Sequence, residues 1–221
     1  MKNIRVTAFR WVPPFAQGLV RDLRVRWALE EAGLPYEQIL IGPDDQKSAE
    51  YRQMQPFGQV PVFQADDITL FESGSIVMYI AEKSGTLLPS SAEGRARTLT
   101  WVIAALNSIE PHVLNLNVID LFNPNEEWAK QRRPAAETIL RGRLAALSQW
   151  MGDREYLEGS SFTAADLVMT TVLRFLRHCA IVADYPNLAA FKDRSEARPA
   201  FQRAHAAQLA NFEKYKPATA A

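Results

Sequence analysis

At 221 residues the chain is long enough for one large domain or two small ones, at ~150 residues per domain. Its 25 Lys+Arg balance 25 Asp+Glu, which argues against a nucleic-acid backbone or an anionic membrane as its main partner. With 48% hydrophobic residues and only 10 Gly and 13 Pro it is neither fibrous nor of low complexity, and the single cysteine, Cys179, excludes an internal disulfide framework and a multi-thiolate zinc site.

That cysteine usage fits a reducing compartment. Arg5 and Arg10 interrupt the first residues, so no signal peptide is expected, and no run of ~20 uncharged apolar residues offers a membrane span. The expectation is a soluble, cytoplasmic protein.

From Ile4 to Phe9 the side chains alternate as in a strand, Ile4, Val6 and Ala8 on one face and Arg5, Thr7 and Phe9 on the other. A loop with Pro13, Pro14 and Gly18 leads to a helix carrying Leu19, Leu23 and Trp27, stopped by Gly33 and Pro35. Its charged residues Arg21, Asp22, Arg24 and Arg26 read as a solvated face or a contact between subunits at least as well as a substrate-binding cluster. A strand over 36–41 follows, so strand, helix and strand imply a parallel pair with a right-handed crossover. Gly42 and Pro43 end that unit. A short polar helix over 47–54 precedes two strands, 60–63 and 68–71, joined at Asp66 and Asp67. A helix from Ser73, with Ile76, Val77 and Ile80 inward, stops at Gly85.

Beyond the turn-rich segment 84–93 the strand signals vanish. Helical periodicity runs over 95–117 and 126–151, with Asn123, Pro124 and Asn125 between, and shorter helices are expected near Thr163, Asn187 and Pro199. Residues 217–221 read as a frayed tail. Thr163 and Asp166 form a capping-box pattern, a structural device, with Phe162 placed to staple onto Leu167.

Two short stretches carry the chemistry. Pro61 opens a strand and cannot donate to a ladder, so it belongs at an edge or bend, where a cis Val60–Pro61 bond would leave the N–H and C=O of Val60 free to pair with an extended peptide-like ligand. A simple turn proline is the other reading. Glu72 and Ser73 open a helix, combining free N–H groups and a hydroxyl that suit a carboxylate with a carboxylate that suits an ammonium, the two halves of an amino acid. An ordinary helix cap is the alternative.

Together, Phe57-Gly58-Gln59-Val60-Pro61, Leu70-Phe71-Glu72-Ser73 and Phe162-Thr163-Ala164-Ala165-Asp166 resemble the soluble glutathione transferases, and the first helix with its stop, residues 25–36, is similar to the bacterial members. The resemblance covers almost the whole chain. It implies an α/β thioredoxin-like N-terminal domain over 1–84 that binds glutathione, followed by an all-α C-terminal domain over 92–221 that supplies most of the electrophile pocket. It implies that Val60, before Pro61, pairs with the cysteinyl part of glutathione, that Glu72 and Ser73 hold the γ-glutamyl group, and that Gln59 adds a contact. Lys47 is a weaker candidate for the glycine carboxylate. It also implies a homodimer, with glutathione as co-substrate and no further cofactor, and with neither membrane nor nucleic acid as partner.

One departure stands out. The chemistry needs glutathione as thiolate, whereas a free thiol titrates near ~8.5 and must be lowered. The family's usual Tyr, Ser or Cys after the first strand is missing, because the loop reads Arg10-Trp11-Val12-Pro13-Pro14-Phe15-Ala16-Gln17-Gly18. Arg10 by charge, Thr7 by its hydroxyl, or backbone N–H groups at the first helix are the substitutes. The expected activity is conjugation of glutathione sulfur to small apolar electrophiles. A glutathione-dependent thiol or disulfide reductase, or a non-catalytic binding protein, are the alternatives. His112, His178 and His205 show no metal-ligand spacing, and Cys179 reads as a packed residue.

Overall fold

The computed structural model describes residues 1–218. Three residues of the tail expected at 217–221 therefore lie outside the described residues. The chain forms two compact units. The first comprises Met1–Leu87 joined by the chain from Arg198 onward, and the second is Leu88–Ala197.

In the first unit, strand β1 (Arg5–Phe9), helix α1 (Asp22–Glu31) and strand β2 (Glu37–Ile41) make the expected crossover. β1 pairs parallel with β2, Thr7 opposite Ile39, and antiparallel with β3 (Phe63–Ala65), which pairs antiparallel with β4 (Ile68–Leu70), giving the order β2-β1-β3-β4. Val6, Thr7 and Ala8 are all buried, so both faces of the central strand are covered.

Two local readings shift. The first motif ends at Ile41 as expected, but Pro43 also opens an unexpected helix, α2 (Pro43–Lys47), a position where its missing N–H costs nothing. Helix α3 (Ala49–Met54) then starts anew from Ser48, whose Oγ accepts the Tyr51 N–H at 3.1 Å. The expected strand at 60–63 begins only at Phe63, leaving Val60 and Pro61 in the approach loop. Helix α4 (Ser73–Ser84) ends as predicted, with Gly85 at φ 72 and its N–H on the Ala81 carbonyl.

The second unit is helical: α5 (Ala92–Ala104), α6 (Glu110–Asn117), α7 (Glu127–Met151), α8 (Ala164–Arg174) and α9 (Pro186–Glu196). The single helix expected over 95–117 is interrupted by a π-helical turn at Ala105–Ile109, just ahead of Pro111, which has no N–H to keep the ladder in register. Helix α8 is buried along its whole length. At its start Asp166 Oδ2 accepts the N–H and the hydroxyl of Thr163, both at 2.8 Å, and Oδ1 accepts the Leu157 N–H at 2.8 Å. Phe162 packs edge-on against Tyr156 at 5.4 Å.

Burial pushes the Asp166 carboxyl up to about 6, outweighing those three donors. A folded-state value above the unfolded one favours the fold most at low pH, and that contribution is lost as pH rises through about 6. The stability gap between the wild type and Asp166→Asn therefore narrows from pH 4 to pH 7 in urea titrations.

The last helix, α10 (Pro199–Lys214), packs on α1 in the first unit, whereas chain order alone groups it with the helical half. Trp27 is fully buried with its ring edge-on to Phe201 at 4.8 Å, and its indole N–H donates to Glu31 at 3.0 Å. Glu31 in turn receives Arg198 through two hydrogen bonds of 2.6 and 2.8 Å.

This packing corrects the reading of the α1 charges as a solvated face. Asp22, Arg24 and Arg26 are each no more than 1% exposed. Arg26 Nε donates to Asp22 Oδ2 at 2.6 Å, and Gln208 from α10 donates to Asp22 Oδ1 at 2.7 Å. The Asp22 and Arg26 charges tolerate burial because they are paired and hydrogen-bonded.

Candidate functional site

The loop from Gln55 to Val62 is held by side chains from three directions. Arg52 donates to the Pro56 carbonyl at 2.8 Å, Gln46 to that of Gly58 at 2.8 Å, and Tyr51 to that of Gln59 at 2.6 Å. The buried Gln55 side chain accepts the Phe57 N–H at 2.7 Å. Gly58 lies at φ 65, a conformation that strains any other residue, and a Cβ there would also have to displace the Arg52 guanidinium 2.8 Å away. On the far side, Thr7 accepts the Val62 N–H at 2.7 Å and donates its own N–H to the Val62 carbonyl at 2.9 Å.

Between these anchors the Val60–Pro61 bond is cis, and the N–H and C=O of Val60 take no partner among the described residues. The Gln59 carbonyl and the Val62 N–H on either side are bonded while the Val60 groups are not, so Val60 presents one donor and one acceptor in the spacing of a β pair.

The start of α4 brings the second motif. Glu72 is exposed and stands at φ 68, a conformation that costs a non-glycine residue about 1–3 kcal/mol. Ser73 is buried, and its Oγ accepts Nη1 of the buried Arg24 at 3.2 Å. A guanidinium only donates, so the Ser73 hydroxyl proton points away from Arg24 and is available to an incoming acceptor. Gln59 and Lys47 are exposed.

The two expected thiol-activating residues separate. Arg10 follows β1 with a half-exposed side chain, its Nη2 lying 3.5 Å from the Leu40 carbonyl and 4.0 Å from Asp45 Oδ2. Thr7 is buried and its hydroxyl has another task. Tyr51 must donate to the Gln59 carbonyl, which can only accept, so the Thr7 hydroxyl 3.0 Å away must donate to Tyr51 and has no proton left for a thiolate. Burial holds the Tyr51 hydroxyl above its usual range, keeping it a donor. Sequence reasoning passed over Tyr51, a lone aromatic in a polar helix. Trp11, in the same loop as Arg10, has a buried Nε1 without an acceptor among the described residues.

Cys179 belongs to the second unit. It is half-buried beside a cavity of about 460 Å³, burial pushes its thiol up, and its Sγ lies 3.3 Å from the Leu176 carbonyl, the geometry of a packed residue. Among the described residues no group of three or more His, Cys, Asp or Glu is placed to hold a metal ion. No described helix is long and apolar enough to cross a membrane.

A small mixed sheet of this order, followed by an all-helical segment, is a thioredoxin-like unit joined to an all-α one. Comparison with known proteins agrees. Residues 16–82 match the N-terminal domain and residues 110–199 the C-terminal domain of glutathione S-transferase. The chain is 31% identical to glutathione S-transferase 1 of Triticum aestivum over 203 residues, covering 84% of this chain and 89% of the wheat protein. Among solved structures it is similar to a glutathione transferase from Burkholderia graminis holding two glutathione molecules per subunit, with TM-score 0.81, 28% identity, and 92% and 88% of the two chains covered. Glutathione transferase F2 of Populus trichocarpa also matches, with TM-score 0.81, 26% identity, and 94% and 99% covered. The chain belongs to the glutathione S-transferase family, whose co-substrate is glutathione.

Proposed function

We propose that the protein binds glutathione in its first unit and transfers its sulfur to small apolar electrophiles. The observation that carries this reading is the pairing of a free Val60 N–H and C=O with the Glu72–Ser73 helix start in one thioredoxin-like unit. The Val60 groups suit the cysteinyl backbone of glutathione, the Ser73 hydroxyl and the α4 N–H groups its γ-glutamyl carboxylate, and Glu72 its ammonium. Gln59, exposed beside Val60, is a further contact, and Pro61 shapes the loop.

In the reaction the thiol proton leaves to solvent, the thiolate attacks the electrophilic carbon, and the leaving group departs with its bonding pair. With Thr7 committed to Tyr51, the Arg10 guanidinium is the side chain proposed to favour the thiolate, assisted by N–H groups at the start of α1. We place the protein in the cytoplasm, as a homodimer with a detoxifying role. Exposed Phe57 and Phe71, edge-on to each other at 6.2 Å, support self-association.

A second reading, reduction of glutathione-linked disulfides, draws support from the two glutathiones per subunit of the B. graminis relative, since one thiolate attacking the disulfide of another needs no protein cysteine. Assays with a chloronitroaromatic and with a mixed glutathione disulfide separate the two. Conjugation is the expected result. Turnover of the disulfide alone supports the reductase, and turnover of neither supports a binding protein without catalysis.

A further inference from the structure

The geometry points to Tyr51 as the positioning residue of the glutathione site, acting through a directional hydrogen-bond chain that sets the backbone of Val60. This inference rests on the glutathione reading and adds the device that shapes its peptide-pairing edge.

The chain runs from the Val62 N–H to Thr7 Oγ1 at 2.7 Å, from the Thr7 hydroxyl to Tyr51 Oη at 3.0 Å, and from the Tyr51 hydroxyl to the Gln59 carbonyl at 2.6 Å. Every proton has one place to go. The Gln59 carbonyl can only accept, which fixes Tyr51 as donor to it, then Thr7 as donor to Tyr51, then Thr7 as acceptor from Val62. The two ends of this chain are the peptide groups on either side of Val60–Pro61. The Tyr51 ring is buried in the same apolar cluster as Ile41, Val60 and Val62, so the hydroxyl is carried on a rigid support.

The consequence is specific. Val60 offers its N–H and C=O to a ligand, while the Gln59 carbonyl and the Val62 N–H are tied to β1 and α3. The orientation of the free pair is thus set by Tyr51 and Thr7, neither of which needs to touch the ligand. Loss of the Tyr51 hydroxyl would leave the Gln59 carbonyl with no side-chain partner and release the Thr7 hydroxyl to rotate. The cost would then fall on ligand pairing more than on the fold.

The test is calorimetric titration of glutathione into the wild type and into Tyr51→Phe, Thr7→Val and Thr7→Ser. Tyr51→Phe keeps the buried ring and should weaken glutathione binding roughly tenfold, the worth of one hydrogen bond lost from a prearranged site. Thr7→Val should act similarly, the double variant should lose little more than either single one, and Thr7→Ser should restore wild-type affinity. Ser91→Ala, which removes the cap of α5 in the second unit, serves as a purely structural control and should leave affinity unchanged. Unchanged affinity in both Tyr51→Phe and Thr7→Val overturns the inference, as does equal weakening by Ser91→Ala. Absence of glutathione binding to the wild type overturns the glutathione reading itself and this inference with it.

Discussion

Arg26→Leu should lower the stability of the protein by about 3–5 kcal/mol, the cost of leaving a buried carboxylate without its counter-charge. Asp22 is fully buried, its Oδ2 is 2.6 Å from Arg26 Nε, and its other listener is the neutral Gln208. Burial already pushes the Asp22 carboxyl above its usual range despite Arg26, and removing the arginine pushes it further. Because a raised folded-state value favours the fold at low pH and loses that contribution as pH rises, the deficit of Arg26→Leu should be largest near neutrality and shrink on acidification. The double change Asp22→Leu with Arg26→Leu removes both charges and should recover at least half of the loss. Urea unfolding of the wild type and the two variants at two pH values checks this. Equal losses in single and double variants would show that the charge pair is not the cause.

The second large effect separates binding from folding at Glu72. Its φ of 68 is a position where glycine is at ease and a side chain is not. Glu72→Gly should raise stability by about 1 kcal/mol, since relief of ~1–3 kcal/mol of backbone strain exceeds the ~0.5–1 kcal/mol entropic cost of glycine. The same change should weaken glutathione binding by about 1–3 kcal/mol through loss of the partner to the ammonium group. Glu72→Ala keeps the strain, so its stability should stay within about 0.5 kcal/mol of wild type while its affinity falls equally. Opposite signs in thermal unfolding and calorimetry would mark a residue held in strain for its ligand. A loss of stability in Glu72→Gly would show that the carboxylate supports the fold instead.

Much of this architecture is readable from local pattern. The alternation over Ile4–Phe9, the glycine stop after α1, the Asp66–Asp67 turn and the Thr163–Asp166 cap all announce themselves within a few residues, because short-range sterics and capping decide them. The bend at Val60–Pro61 and the helix start at Glu72–Ser73 are legible for the same reason.

What was not legible depends on partners distant in sequence. Asp22, Arg24 and Arg26 look like surface residues until α10 brings Gln208 from 186 positions away to cover them. Thr7 looks like a free hydroxyl until Tyr51, 44 positions on, takes its proton. Pro43 reads as a stop and is also a start, since the same fixed φ that ends one element suits the first turn of the next.

The first unit is proposed to hold glutathione between Val60 and the Glu72–Ser73 helix start. Calorimetric titration of glutathione into the wild type and into Glu72→Ala tests it most directly. The predicted result is saturable binding to the wild type, weakened about 5- to 150-fold in the variant. Equal affinity in the two proteins, or no binding to the wild type, would contradict it.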